Sequence, residues 1–198
     1  MELIDGTHIV YQSPAQAVCL LPCEKVEPEV VCEVARDEIK KVIPRNISKV
    51  QVELRVDDRP GEFFQYTHGL KGHDGNCQRL AHGHRGRITV EIDQYARADI
   101  EKAWVFRLRD TYVGATEDIV GRPKIAGNEY IQFEYTVAQG RFFLEIPADR
   151  CYLLSTNTTI ELMTEHVLNT IKTSYQGSEV QVRLLEGVGK GATFVSSG

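Results

Sequence analysis

The chain has 198 residues, 42% of them hydrophobic and 26% charged, with a formal net charge of -5. That balance describes a globular protein with one core; no apolar run reaches the roughly 20 residues a bilayer crossing needs. Lys and Arg are dispersed along the chain, which argues against the concentrated basic face of a nucleic-acid binder.

The N-terminus, MELIDGTHIVYQ, lacks the basic and then apolar segments of a secretory signal. The cysteines are Cys19, Cys23, Cys32, Cys77 and Cys151, an odd number without a CxxC pair. Reduced thiols in a cytoplasmic protein are the expectation, and a cysteine-based zinc site is not.

Residues 1–27 read as irregular or as short strands. Over 28–43, Val31, Val34, Ala35, Ile39 and Val42 recur at helical spacing, with Pro28 suited to the first turn and Pro44 to a stop. SKVQVELRV (48–56) alternates Val50, Val52 and Leu54 with polar residues and predicts a half-buried strand. DDRPGE (57–62) reads as a turn and EFFQYTHGL (62–70) as a second strand. KGHDGN (71–76) is a Gly-rich loop, and HGHRGRITVEI (82–92) a strand with Ile88, Val90 and Ile92 on the face of His84.

AWVFRLRDTYV (103–113) looks extended and 114–128 looks like a long loop. EYIQFEYTV and GRFFLEIP predict a hairpin around Ala138-Gln139-Gly140. TTIELMTEHVLNTIKTS (158–174) predicts a helix with Ile160, Met163, Val167 and Ile171 on one side, and SEVQVRLLEG and ATFVS predict the last strands. Ser48–Leu54 echoes Ser178–Leu184, each a few residues after a helix. The echo is read either as two helix-then-strand units in an α+β sheet with its helices on one face, or as two generic amphipathic strands.

The chemistry concentrates between 68 and 84. Positions two apart on a strand point the same way, so His82 and His84 present imidazoles to one spot. Gly83 between them keeps the backbone uncrowded. His68 ends the preceding strand on the face of Phe64 and Tyr66. Three neutral imidazoles with one open position form the pattern of a catalytic zinc site; His73 is the rival third ligand.

These residues resemble the 6-pyruvoyltetrahydropterin and 6-carboxytetrahydropterin synthase superfamily. That family has Phe-x-x-x-His-x-Leu on its first strand, then a cysteine a few residues before His-Gly-His. Here Phe64-Gln-Tyr-Thr-His68-Gly-Leu70 is followed by Cys77 and by His82-Gly-His84. Thr159-Ile160-Glu161 matches the Thr-x-Glu at the start of the family's last helix, and Glu186 the glutamate that grips the pterin ring. Thr158 with Glu161 equally fits a helix capping box. The resemblance covers roughly 64–93 and 148–195.

The family's later Asp-His reads Asp149-Arg150 here. Arginine stays charged and cannot relay protons, which leaves His73 or His166 as a substitute, or a different reaction. Relatives have a helix with an Asp-Phe start in the middle of the chain, where 129–147 reads as a hairpin. Residues 1–58 have no placed counterpart.

The resemblance implies a tunnelling-fold (T-fold) α+β domain over the whole of 1–198: an antiparallel sheet with helices on one face, an N-terminal helix–strand extension over 1–58, and a core over 59–198 with an atypical 95–147 segment. It further implies a zinc-dependent carbon–oxygen lyase acting on 7,8-dihydroneopterin triphosphate. His68, His82 and His84 would hold Zn2+, Cys77 would be the general base with Asp149 beside it, and Glu186, Thr159 and Glu161 would bind substrate. The product would be 6-pyruvoyl- or 6-carboxy-tetrahydropterin, the latter on the route to queuosine, made by a homo-oligomer with sites between subunits. The alternative is a repurposed zinc-containing binder of pterin- or purine-like ligands. The partner expected in either case is a small molecule, not a nucleic acid or a membrane.

Overall fold

The computed structural model describes residues 1–21, 23–55 and 62–197. The chain forms two compact units, Val18–Arg59 and the combination of Met1–Ala17 with Pro60–Gly198.

In the smaller unit, α1 (Pro28–Val42) begins with Pro28 in its first turn and ends before Pro44, as the spacing predicts. None of its residues is fully buried. The strand expected over 48–56 is not seen among its described residues: 48–55 carry no ladder, although Val50 and Val52 are less exposed than their neighbours. Alternation reports which face a segment shelters, but a strand also needs a partner for its N–H and C=O groups. The proposed helix–strand echo therefore fails in its first copy. Most of the turn expected at 57–62 lies outside the described residues.

In the larger unit, β1 (Val10–Gln12) precedes β2 (Phe63–His68) and β3 (His82–Ile92), which pair antiparallel, with His68 opposite His82 and Tyr66 opposite His84. A short β4 (Tyr95–Ala96) leads into α2 (Ala98–Leu108). This corrects the extended reading over 103–108, whereas 111–113 are extended as expected. Ile100, Trp104 and Leu108 lie four residues apart and face the core, while Phe106 is 77% exposed.

The loop expected over 114–128 is also corrected. β5 (Thr111–Ala115), β6 (Ile119–Gly121) and β7 (Lys124–Ile125) occupy much of it. The hairpin of β8 (Asn128–Val137) and β9 (Gly140–Pro147) forms as expected, followed by β10 (Cys151–Leu154), α3 (Ile160–Lys172), β11 (Val180–Gly187) and β12 (Lys190–Ser196).

Two sheets result. The larger runs β10-β5-β2-β3-β11-β12, with β4 beside β3; the smaller runs β1-β9-β8-β6, with β7 on β8. The larger sheet is mixed, because β5 pairs parallel with both β2 and β10. Such pairings need a crossover, and α2 supplies the one between β3 and β5. Helices α2 and α3 both pack on one face through Trp104, Leu108, Met163 and Val167 against Phe64, Ile88, Val113 and Val182. The other face, at its β5–β10 end, packs against the smaller sheet through Tyr112, Phe133 and Leu144.

Candidate metal centre

His68, His82 and His84 all lie on the helix-covered face of the larger sheet, at one end of its central strands. Their potential ligand atoms lie within 4.8 Å of one another, and among the described residues they form the one such group. The ring centroids are 4.6 Å (His68–His82), 4.9 Å (His68–His84) and 5.0 Å (His82–His84) apart. The Tyr66 ring walls the cluster, edge-on to His68 and stacked with His84.

A backbone carbonyl orients each imidazole. His68 Nδ1 lies 2.8 Å from Thr158 O, His82 Nδ1 3.2 Å from Arg79 O, and His84 Nδ1 3.1 Å from Glu186 O. A carbonyl oxygen only accepts, so each Nδ1 carries the proton and each Nε2 presents a lone pair. All three Nε2 atoms are buried, and none has a hydrogen-bond partner among the described residues. Leaving three buried acceptors unpaired is costly, and a divalent cation that favours imidazole satisfies all three at once. The backbone bonds are also the outer-shell contacts that such ligands use to fix their orientation.

Burial, reinforced by His82 and His84, lowers the His68 pKa to about 3. Burial also lowers that of His82. His68 is fully buried and is held neutral, the form a metal ligand needs.

Each carbonyl comes from a local irregularity. Arg79 closes the 3-10 turn Gly75–Gln78 that carries Cys77. Thr158 precedes α3, and its hydroxyl donates to Gly69 O at 3.1 Å. Glu186 is passed over in the β11–β12 ladder, which steps from Leu185↔Gly191 to Gly187↔Lys190. A bulge leaves one residue unpaired and re-aims its side chain. Leu184, Leu185 and Glu186 are therefore all buried in succession, and the Glu186 carbonyl is free to receive His84.

The remaining expected site residues are placed as follows. Cys77 is half-buried in the turn that ends at Arg79, and its carbonyl accepts the Leu70 N–H. The Glu186 carboxylate sits inside, 2.7 Å from Lys190 Nζ, and its charge reaches His82 and Tyr66. Lys190 is in electrostatic reach of Cys77 and Glu161. His73 is exposed but within electrostatic reach of His68 and His82.

Thr159, not Thr158, caps α3, accepting the Leu162 N–H at 3.4 Å. This corrects the capping box: Glu161 is the second helical residue, exposed in the first turn. Thr158 turns inward instead, because its carbonyl and hydroxyl are both engaged around His68.

Asp149 is exposed on the 3-10 turn Ala148–Arg150. Among the described residues no hydrogen bond or ion pair joins it to Cys77. Arg150 reaches away to Asp5 Oδ2 at 2.8 Å. His166 is held by the Tyr152 hydroxyl at 2.8 Å and packs edge-on to Trp104. Lys190 went unread in the sequence, where its only signal is the spacing Glu186-Gly-Val-Gly-Lys190.

No helix is long and apolar enough to cross a membrane among the described residues. A curated 6-carboxy-5,6,7,8-tetrahydropterin synthase from Haemophilus influenzae is 30% identical over 125 residues, 62% of this chain and 86% of that protein. Solved 6-pyruvoyl tetrahydropterin synthases from Plasmodium vivax and Plasmodium falciparum superpose with TM-scores of 0.48, at 16% and 15% identity, each over 68% of this chain and 91% of theirs. The family model for 6-pyruvoyl tetrahydropterin synthase matches residues 58–196, which include the three histidines, Cys77 and Glu186. On that match the chain belongs to the 6-pyruvoyl tetrahydropterin synthase family, and its α+β architecture is the T-fold of that family.

Proposed function

We propose that the protein is a zinc-dependent lyase of the tetrahydropterin synthase type acting on 7,8-dihydroneopterin triphosphate. The supporting observation is the set of three orphaned, buried Nε2 lone pairs of His68, His82 and His84, fixed by carbonyls at their Nδ1 atoms. These residues would hold zinc, which when bound supplies Lewis-acid polarisation of a side-chain oxygen of the substrate.

The chain's own groups do the rest. Glu186, a buried carboxylate at the bulge, accepts the N–H groups of the pterin's amidine-like edge as charge-assisted hydrogen bonds. Cys77, on the turn whose end orients His82, takes the proton from the substrate side chain at Sγ. Loss of that proton and departure of triphosphate together form the unsaturated product side chain. His73 replaces the missing relay histidine as the group that carries protons between Cys77 and solvent, because Arg150 is committed to Asp5 and His166 to Tyr152. Asp149, which makes no hydrogen bond or ion pair with Cys77 among the described residues, would join the site across a subunit contact in a homo-oligomer.

The commitment of Arg150 to Asp5 favours a second reading, a zinc-containing pterin binder without turnover. One experiment separates them. The purified protein is expected to bind about one zinc per chain and to release triphosphate from 7,8-dihydroneopterin triphosphate, with Cys77→Ala abolishing release while keeping the metal. Zinc retention by His84→Ala would refute the metal assignment. A wild-type protein that binds zinc and pterin but releases no triphosphate would establish the second reading.

A further inference from the structure

We propose that Lys190 is a specificity residue for the phosphorylated tail of the substrate: its ammonium holds Glu186 in the free protein and passes to a phosphate when the heterocycle takes Glu186. The inference rests on the pterin reading above and adds a residue to it.

The pair is asymmetric. Glu186 is 7% exposed at its side chain and Lys190 73%, with Nζ 2.7 Å from Oε1. The ammonium therefore lies on the solvent side of the carboxylate, in the way of a ligand that reaches Glu186 from solvent to donate hydrogen bonds to both of its oxygens. An ion pair with one partner so exposed is weak, so displacement is easy.

The displaced ammonium has nowhere distant to go. Lys190 opens β12 across the two-residue turn Val188-Gly189 from Gly187. Gly189 takes φ +72°, and no atom lies within 4 Å of where side chains at Gly187 or Gly189 would start. The turn is uncrowded, and the long lysine stem can swing while its base stays fixed. Its charge already reaches Cys77 and Glu161.

Charge balance indicates what it meets next. Glu186 and Glu161 are both carboxylates within reach of Lys190, and a triphosphate ester brought beside them meets like charge. Lys190 is the cation these acids share, while Lys71, the basic residue following Leu70, is engaged by Glu117 and Asp118. An exchange of partners gives the ammonium an anionic partner both before and after binding, and rewards a ligand that carries both a heterocyclic N–H edge and a phosphate.

The test uses the zinc-loaded full chain, oxidised neopterin and oxidised neopterin triphosphate, neither of which carries the reactive dihydro ring, with binding read by pterin fluorescence. Lys190→Ala is expected to weaken the triphosphate about tenfold, the low end for a lost hydrogen bond to a charged group, and to leave neopterin unchanged or bound more tightly. Lys190→Arg should retain the preference, and raising salt should erase it in the wild type. Equal weakening of both ligands, or no change in either, overturns the proposal while leaving the pterin reading intact. Wild-type protein that binds neither ligand refutes the pterin reading and this inference with it.

Discussion

Adding one methyl group at Gly69 tests whether the metal centre depends on close approach of two backbones. A Cβ there would lie 2.6 Å from Leu80 O and 2.7 Å from Leu80 Cα, and closer still to the Tyr135 hydroxyl. Two of the three obstructing atoms are backbone, so relief requires β2 to move away from the 70–82 loop. Such overpacking costs about 1–3 kcal/mol, and losing the Thr158–Gly69 hydrogen bond adds about 1 kcal/mol. His68 immediately precedes Gly69, so the same shift misplaces a ligand. Gly69→Ala is expected to lower the stability of metal-free protein by about 2–4 kcal/mol, the sum of those costs, and to weaken zinc binding. Gly83→Ala is the control: although Gly83 sits between two of the histidines, a Cβ there meets nothing nearer than 3.9 Å, and the expected change is within about 0.5 kcal/mol. Urea unfolding of chelator-treated protein and competition with a chromophoric zinc chelator measure both. Wild-type stability and zinc affinity in Gly69→Ala, or equal damage from Gly83→Ala, would refute the reasoning.

Metal-free protein should also lose stability on mild acidification. His68 has a pKa of about 3 in the fold against 6.5 unperturbed, so below 6.5 the unfolded chain binds a proton that the folded chain refuses. The contribution is fully present above pH 6.5 and is lost as pH falls toward 3, at about 1.4 kcal/mol per unit within that window. His82 acts in the same direction. Urea midpoints at pH 7, 6 and 5 that do not fall would contradict the burial of neutral His68. Arg150→Ala should leave triphosphate release within about twofold, because the guanidinium is spent on an exposed pair with Asp5; a loss of a hundredfold would place Arg150 in the chemistry.

Elements whose signal is local were legible in the order of residues alone. The period-two run from His82 to Ile92 and the helical spacing of Ile160, Met163, Val167 and Ile171 each report one face, and each element forms there. His82-x-His84 needs only a strand to put two imidazoles side by side. The aim of those imidazoles is set by contacts that exist only in the folded chain. Thr158, Arg79 and Glu186 contribute backbone carbonyls, which every residue has, and a carbonyl leaves no trace in residue type. The Glu186 bulge, the Lys190 ion pair and the crowding at Gly69 likewise arise from segments that meet only in the folded chain. The same physics explains the errors: Val-Phe-Arg-Leu-Arg alternates as a strand would, yet it becomes part of α2 because Trp104 and Leu108 bury against the sheet. Residues 48–55 alternate too, yet they make no strand because none of the described residues pairs with them.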